Sequence, residues 1–232
     1  MNILALDTSM GACSAAVLRA DGTRQDLFVH AEFMARGHAE ALMPMVAEVM
    51  AEAGVTPSGL DLIAATLGPG SFTGVRIAIA AARGLALATG ARLWGADSLT
   101  VMAQGALAET DLRQAGRPFS VAVDARRSML YFGLFDAAGA RLQGPVLITP
   151  EDAAPLLPDN VAVAVGSGAE LLAQAAAMQG RRVTAALPDL QPDARSLAVL
   201  ALAGGETSTT VRPLYLRPPD AKPQAAATLR KR

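Results

Sequence analysis

Two stretches of the chain follow the same pattern. Residues 2–22, NILALDTSMGACSAAVLRADG, read as an apolar strand ending at Asp7, a short turn, a second apolar strand over Ala12–Leu18, and a closing turn at Gly22. Residues 119–139, FSVAVDARRSMLYFGLFDAAG, repeat the pattern with a strand ending at Asp124 and another over Met129–Phe135. Asp7 to Gly22 and Asp124 to Gly139 are the same interval, fifteen residues. A unit of about half the chain is therefore duplicated, which restricts the fold to two similar halves.

Each half continues by alternating strands and helices. In the first, TRQDLFVHAEF reads as a third strand, then a helix over 38–53, the strand DLIAATLG, a glycine loop with a long helix, the strand ARLWGAD and the helix SLTVMAQGALAE. In the second, VAVAVGSGAELLAQAAAMQG reads as strand, Gly-x-Gly turn and helix. RRVTAAL is a short strand, and DARSLAVLALAG a helix opened by Asp193. The polar stretch TDLRQAGRP places a boundary near residues 109–118, giving subdomains over 1–110 and 117–216 and an irregular, proline-containing tail over 217–232. This order predicts an α/β fold of the actin-like ATPase type, two similar subdomains each with a mixed sheet flanked by helices.

Composition narrows the chemistry. Lys222 and Lys231 are the only lysines, so no lysine in the folded region can serve a Walker loop or a Schiff base. His30 and His38 are eight apart, which is not the spacing that brings two imidazoles to one metal on a helix. Cys13, the only cysteine, lies inside an apolar strand and reads as buried and structural; a reducing cytoplasm is the expected compartment. Arg76 and Arg83 interrupt the longest apolar run, and the N-terminus lacks a signal-like charge pattern, so no membrane association is expected. The net charge of −1 argues against nucleic-acid binding by this chain alone; Arg126 and Arg127 are the one suggestive pair.

The segment LGPGSFTGVRIAIAAARGLAL, residues 67–87, contains Gly68, Gly70 and Gly74. Their spacing matches neither the Walker loop nor the dinucleotide fingerprint, although amides at a helix start can hold an anion weakly. Ser71 or Thr73 is placed to cap the helix that follows, a structural role needing no ligand. That helix is apolar nearly all round, with Arg76 and Arg83 on one stripe. In the helix HAEALMPMVAEVMAEAG, Leu42, Met45 and Val49 form one apolar row and Met43, Val46 and Met50 another, while Pro44 is expected to kink or delay it. Two apolar rows exceed what one sheet needs, so the two helices are expected to offer surface to a partner.

Other candidates have plain alternatives. Asp7, Thr8 and Ser9 could meet Mg²⁺ and phosphate or simply satisfy a turn. Gly166 and Gly168 could pass under an adenosine, and Asp124 with Arg126 forms an ion pair or a turn.

The segments ILALDTSMGACSAAV, HAEALMPMV, LGPGSFTGVRIAIAAARGLAL, VDARRSMLYFGLF and PLYLRPPDAK closely resemble the TsaB (YeaZ) family over nearly the whole chain, least over residues 140–200. The resemblance implies an actin-like fold and a non-catalytic subunit that activates TsaD. TsaD, with TsaE and the product of TsaC, places threonylcarbamoyl on the adenosine beside the tRNA anticodon. It implies a helical bundle with TsaD, or with a second copy in its absence, using His38, Leu42, Met45, Val46, Val49, Met50, Phe72, Val75, Arg76, Ile79, Ala82 and Arg83. Gly68, Gly70, Ser71, Thr73 and Gly74 are then a structural loop and Asp7, Thr8 and Ser9 vestigial nucleotide-binding positions. No metal and no cofactor of its own are expected; ATP or ADP would sit near the TsaD interface, and tRNA would be met indirectly through the complex. The alternatives are a free-standing actin-like ATPase or kinase and, least supported by two distant histidines, a metallopeptidase.

Overall fold

A computed structural model describes residues 1–204 and 211–217. The first sheet contains β1 (Asn2–Asp7), β2 (Ala12–Asp21), β3 (Arg24–Phe33), β4 (Leu62–Thr66) and β5 (Arg92–Ala96), in the order β3-β2-β1-β4-β5. The second contains β6 (Phe119–Asp124), β7 (Leu130–Phe135), β8 (Arg141–Ile148), β9 (Val163–Val165) and β10 (Thr184–Ala186), in the order β10-β9-β6-β7-β8. Each has an antiparallel three-strand meander joined to two parallel strands, so the duplication in sequence is a duplication of topology. The fold is α/β and actin-like, as expected.

The helices are α1 (His38–Ala53), α2 (Phe72–Thr89), α3 (Ser98–Glu109), the single-turn α4 (Leu112–Ala115) and α5 (Pro150–Ala153), α6 (Ala169–Met178) and α7 (Ala194–Leu202). β1 and β4 are covered on both faces, which is why they read as unbroken apolar runs. α1 and α2 pack on one face of the first sheet, where Leu4, Leu6, Ile63 and Val75 meet Leu42, Val46 and Val49. α7 packs on the other, with Leu197 and Ala198 against Ile3, Leu18 and Leu62.

The boundary near residues 110–117 separates the two sheets but not the two cores. α3, placed with the first half by chain order, packs through Leu99, Met102 and Ala106 onto Phe119, Val121 and Phe135 of the second sheet. α7, from the second half, covers the first sheet. The segment 211–216 also returns to the first subdomain: Val211 is buried in the α1–α2 core, and the Leu214 amide donates to the Leu67 carbonyl at 2.7 Å. Of the predicted tail, 218–232 lies outside the described residues.

α1 runs unbroken through Pro44, contrary to the expectation of a kinked or delayed start. Residue 44 is exposed, so the lost backbone donor lies on the outer side of the helix. α2 is long and apolar enough to cross a membrane by length and composition alone, yet only 33% of it is buried in this fold. Much of its surface is left uncovered.

Candidate functional site

The glycine loop is folded onto the end of β1. Asp7, Thr8 and Ser9 are all fully buried, and their polar atoms are engaged within the chain. Thr8 Oγ1 donates to the Gly74 carbonyl at 2.6 Å and accepts from the Ala78 amide at 3.1 Å. Ser9 Oγ donates to Asp7 Oδ1 at 2.7 Å, and the Ser71 amide donates to the Ser9 carbonyl at 2.8 Å. A Cβ on Gly70 would lie 2.1 Å from the Ser9 oxygen, and one on Gly74 2.0 Å from the Thr8 oxygen. Both glycines are there because backbone meets backbone. Gly68, with φ +97°, turns the loop and donates no side chain into Leu214.

Ser71 is the N-cap of α2, its Oγ accepting from the Gly74 amide at 3.3 Å; Thr73 is exposed on the first turn. The Ser71 amide is thus taken by the turn that follows β1, and the Gly74 amide by the side chain of Ser71. Burial pushes the Asp7 carboxyl up to about 7, against the lowering effect of the Ser9 bond.

The corresponding turn in the second half behaves likewise. Gly166 and Gly168 lie against their neighbours: a Cβ would come 2.6 Å from the Ala122 oxygen at Gly166, and at Gly168 2.5 Å from Leu130 Cδ2 and 3.0 Å from the Asp124 amide. Asp124 and Arg126 form a turn, the Arg126 amide donating to Asp124 Oδ1 at 2.7 Å. Cys13 is fully buried, with its thiol pushed up to about 11 by burial. His30 lies between Glu48 (3.3 Å) and Glu52 (2.9 Å), and His38 Nε2 is 3.2 Å from the Met10 carbonyl.

The helix pair divides differently from the sequence-based assignment. Leu42, Val46, Val49, Met50, Val75, Ile79 and Ala82 are buried in this chain's own core, none above 7% exposure. They hold α1 and α2 to the sheet and present nothing to a partner in this conformation. Met45 is half-buried against the same core, and His38 is half-buried at the start of α1. Phe72, Arg76 and Arg83 are exposed. With Ala80, Gly84 and Leu87 they form a continuous outer stripe, since residues 72, 76, 80, 84 and 87 recur at helical spacing. α1 adds Ala39, Met43 and Ala47 at the same exposed level. Ile77, Ala81 and Leu85 fill the seam beside the core.

Tyr215 completes this surface, and the sequence reading missed it. Its ring stacks on Phe72 with centroids 5.0 Å apart, its hydroxyl accepts from Arg76 Nε at 2.6 Å, and the Arg76 guanidinium lies 3.6 Å above the Phe72 ring. The signal was present in PLYLR, but nothing local showed that this segment returns to α2. Arg83 bonds the Val211 carbonyl and so anchors the same strap.

A family described as TsaD, tRNA N6-adenosine threonylcarbamoyltransferase, matches residues 28–204. The solved structure of YeaZ from Pseudomonas aeruginosa is 34% identical, superposes with a TM-score of 0.74, and is matched over 93% of this chain and 99% of that one. The chain belongs to the TsaB/YeaZ family. The tRNA threonylcarbamoyladenosine biosynthesis protein TsaB of Escherichia coli is 38% identical over 132 residues, 57% of this chain and 54% of that protein. An uncharacterised protein of Mycobacterium tuberculosis is 33% identical over 97% of this chain and 96% of its own length. The YeaZ likeness spans both subdomains, whereas the TsaB likeness covers about half of each protein. Membership of the TsaB/YeaZ family places the chain in tRNA threonylcarbamoyladenosine biosynthesis.

Proposed function

We propose that this chain is a non-catalytic subunit that docks on a TsaD transferase in the complex placing threonylcarbamoyl on the adenosine beside the tRNA anticodon. The observation that most supports this reading is the uncovered stripe Phe72, Arg76, Ala80, Gly84, Leu87 on α2 with Ala39, Met43 and Ala47 on α1. Its centre is small and apolar, so a second pair of helices can approach closely, and Phe72, Arg76 and Tyr215 form an aromatic and cationic anchor at one end. The close packing of the loop on the turn after β1, backbone against backbone at Gly70 and Gly74, supports the non-catalytic half of the reading. The docking surface proposed here replaces the buried residues Leu42, Val46, Val49, Met50, Val75, Ile79 and Ala82 with the outer rows of the same helices. In the absence of TsaD a second copy of the chain covers the same stripe. TsaE joins through TsaD, and ATP or ADP belongs to the boundary with TsaD.

Size-exclusion with light scattering on the chain alone and mixed with TsaD from the same genome tests this. A heterodimer forming at the expense of any self-dimer is expected; two species eluting unchanged would contradict it.

A further inference from the structure

A groove separates the two subdomains on the side of the helix N-termini. Two adjoining cavities of about 530 and 660 Å³ share Met10, Gly11, Ser71 and Arg126. Arg36 lines one of them, Arg217 the other, and Arg126 both. We propose that this groove binds the phosphodiester backbone of RNA through Arg36, Arg126 and Arg217. For the choice of RNA the proposal rests on the function proposed above.

The charge is segregated. The chain has 21 acidic and 20 basic residues, and an adjoining cavity of about 450 Å³, which shares Leu190 and Gln191 with the groove, is lined by Glu32, Glu109, Asp189 and Asp193 and by no basic residue. The groove holds three arginines against two carboxylates, Glu40 and Asp124, and Asp124 already accepts from the Arg126 amide. Arg126 sits on a turn in which Arg126, Arg127 and Ser128 all have positive φ (61°, 56° and 56°), a conformation costly for side-chain-bearing residues. The Ala125 amide to the Met129 carbonyl (2.9 Å) and the Arg217 guanidinium to the Arg126 carbonyl (3.4 Å) hold that turn at the groove. Tyr131, half-buried in the same lining, offers a ring for a base.

The arrangement suits a strand better than a free nucleotide. Arg126 and Arg217 line one cavity together and Arg36 lines the adjoining one with Arg126, so the three arginines are shared between two cavities. The elements that would recognise a nucleotide are spent: Asp7 and Ser9 are buried, and Gly166 and Gly168 are packed on β6.

Fluorescence anisotropy with a labelled anticodon stem–loop RNA, on the chain alone and with TsaD, tests the proposal. Three phosphate contacts predict that log K falls with log salt at a slope near −2 for a single strand. The double variant Arg36→Gln, Arg126→Asn removes two contacts, and asparagine tolerates the positive φ at 126. Its affinity is expected to fall about tenfold and its slope to approach −0.7. Arg92→Gln, on the far edge strand, should leave both unchanged, and thermal denaturation should show both variants folded. Unaltered affinity and slope in the double variant would overturn the proposal. So would a loss of ATP binding with RNA binding intact, which would make the groove a small-nucleotide site. TsaD co-elution of the same variants keeps the two readings apart: a wild-type chain that ignores TsaD but binds RNA through these arginines removes the docking reading alone.

Discussion

Gly74 and Thr8 lie in direct backbone contact: a Cβ on Gly74 would come within 2.0 Å of the Thr8 carbonyl oxygen, and Thr8 Oγ1 donates to the Gly74 carbonyl at 2.6 Å. This pair fixes the start of α2 to the end of β1, and with it the orientation of the whole outer stripe.

Gly74→Ala should therefore destabilise the chain by about 3 kcal/mol or more, because only backbone can yield. Thr8→Val keeps the volume and removes both hydroxyl bonds, to the Gly74 carbonyl and from the Ala78 amide, at a cost of about 1–3 kcal/mol. Urea unfolding of both variants checks this; two wild-type midpoints would contradict the clamp.

Gly84 is the opposite case. It sits in the interior of α2 with no atom within 4 Å of where a Cβ would lie. Gly84→Ala should raise stability by about 0.5–1 kcal/mol through helix propensity. Gly84→Arg should fold as well as wild type and lose TsaD, since its bulk meets nothing except an occupant of the stripe. Stability from thermal melts and affinity from titration calorimetry should thus move independently.

A charge on the buried rows should act differently. Val46→Glu places a carboxylate in this chain's core, where Val46 is 3% exposed, and should unfold or strongly destabilise the monomer. Ala80→Glu, on the outer stripe, should leave the monomer melt near wild type while weakening docking. Circular dichroism melts of the two variants separate these effects.

Asp7 gives a pH dependence of definite sign. Its carboxyl titrates near 7 in the folded chain, above the value of 3.8 expected for the unfolded one. Between these values the folded state holds a proton that the unfolded state has lost. Asp7 therefore lowers stability progressively as pH rises from about 4 to 7, by up to about 4 kcal/mol, and the loss is complete above 7. Asp7→Asn should flatten this decline, with its advantage over wild type largest at pH 8 and least near pH 4. Parallel declines in both proteins would remove Asp7 as the cause.

Much of the fold was legible because its signals are local. The repeated strand–Asp–turn–strand pattern became two sheets with the same order, and α1 and α3 span the residues their periodicity indicates. Asp193 caps α7, its carboxylate accepting from the Ser196 amide at 2.9 Å. β8 was not read, because Arg141–Ile148 carries Gly144-Pro145 and is half-buried along most of its length, so no alternation marks it. The exchange of α3 and α7 between cores was also hidden: helical periodicity shows which face is apolar but not which sheet it covers.

The site was legible in its elements and not in its rows. Helices α1 and α2 carry the uncovered surface as expected, yet Val46 and Met43, three residues apart on one helix, end at 3% and 45% exposure. Both read as apolar in sequence, and only the placement of β2 and β4 decides which is core. Tyr215 reaches Phe72 across 143 residues of chain, a contact set by the return of the 211–216 strap rather than by any local pattern.

The most direct test of the docking account is titration calorimetry of TsaD into wild-type and Gly84→Arg chains, with both melts recorded. Tight, saturable binding by wild type and its loss by at least a hundredfold in an equally stable Gly84→Arg is the predicted result, a difference of about 2.7 kcal/mol or more. Equal affinity for the two chains would show that the outer stripe of α2 is not where TsaD docks.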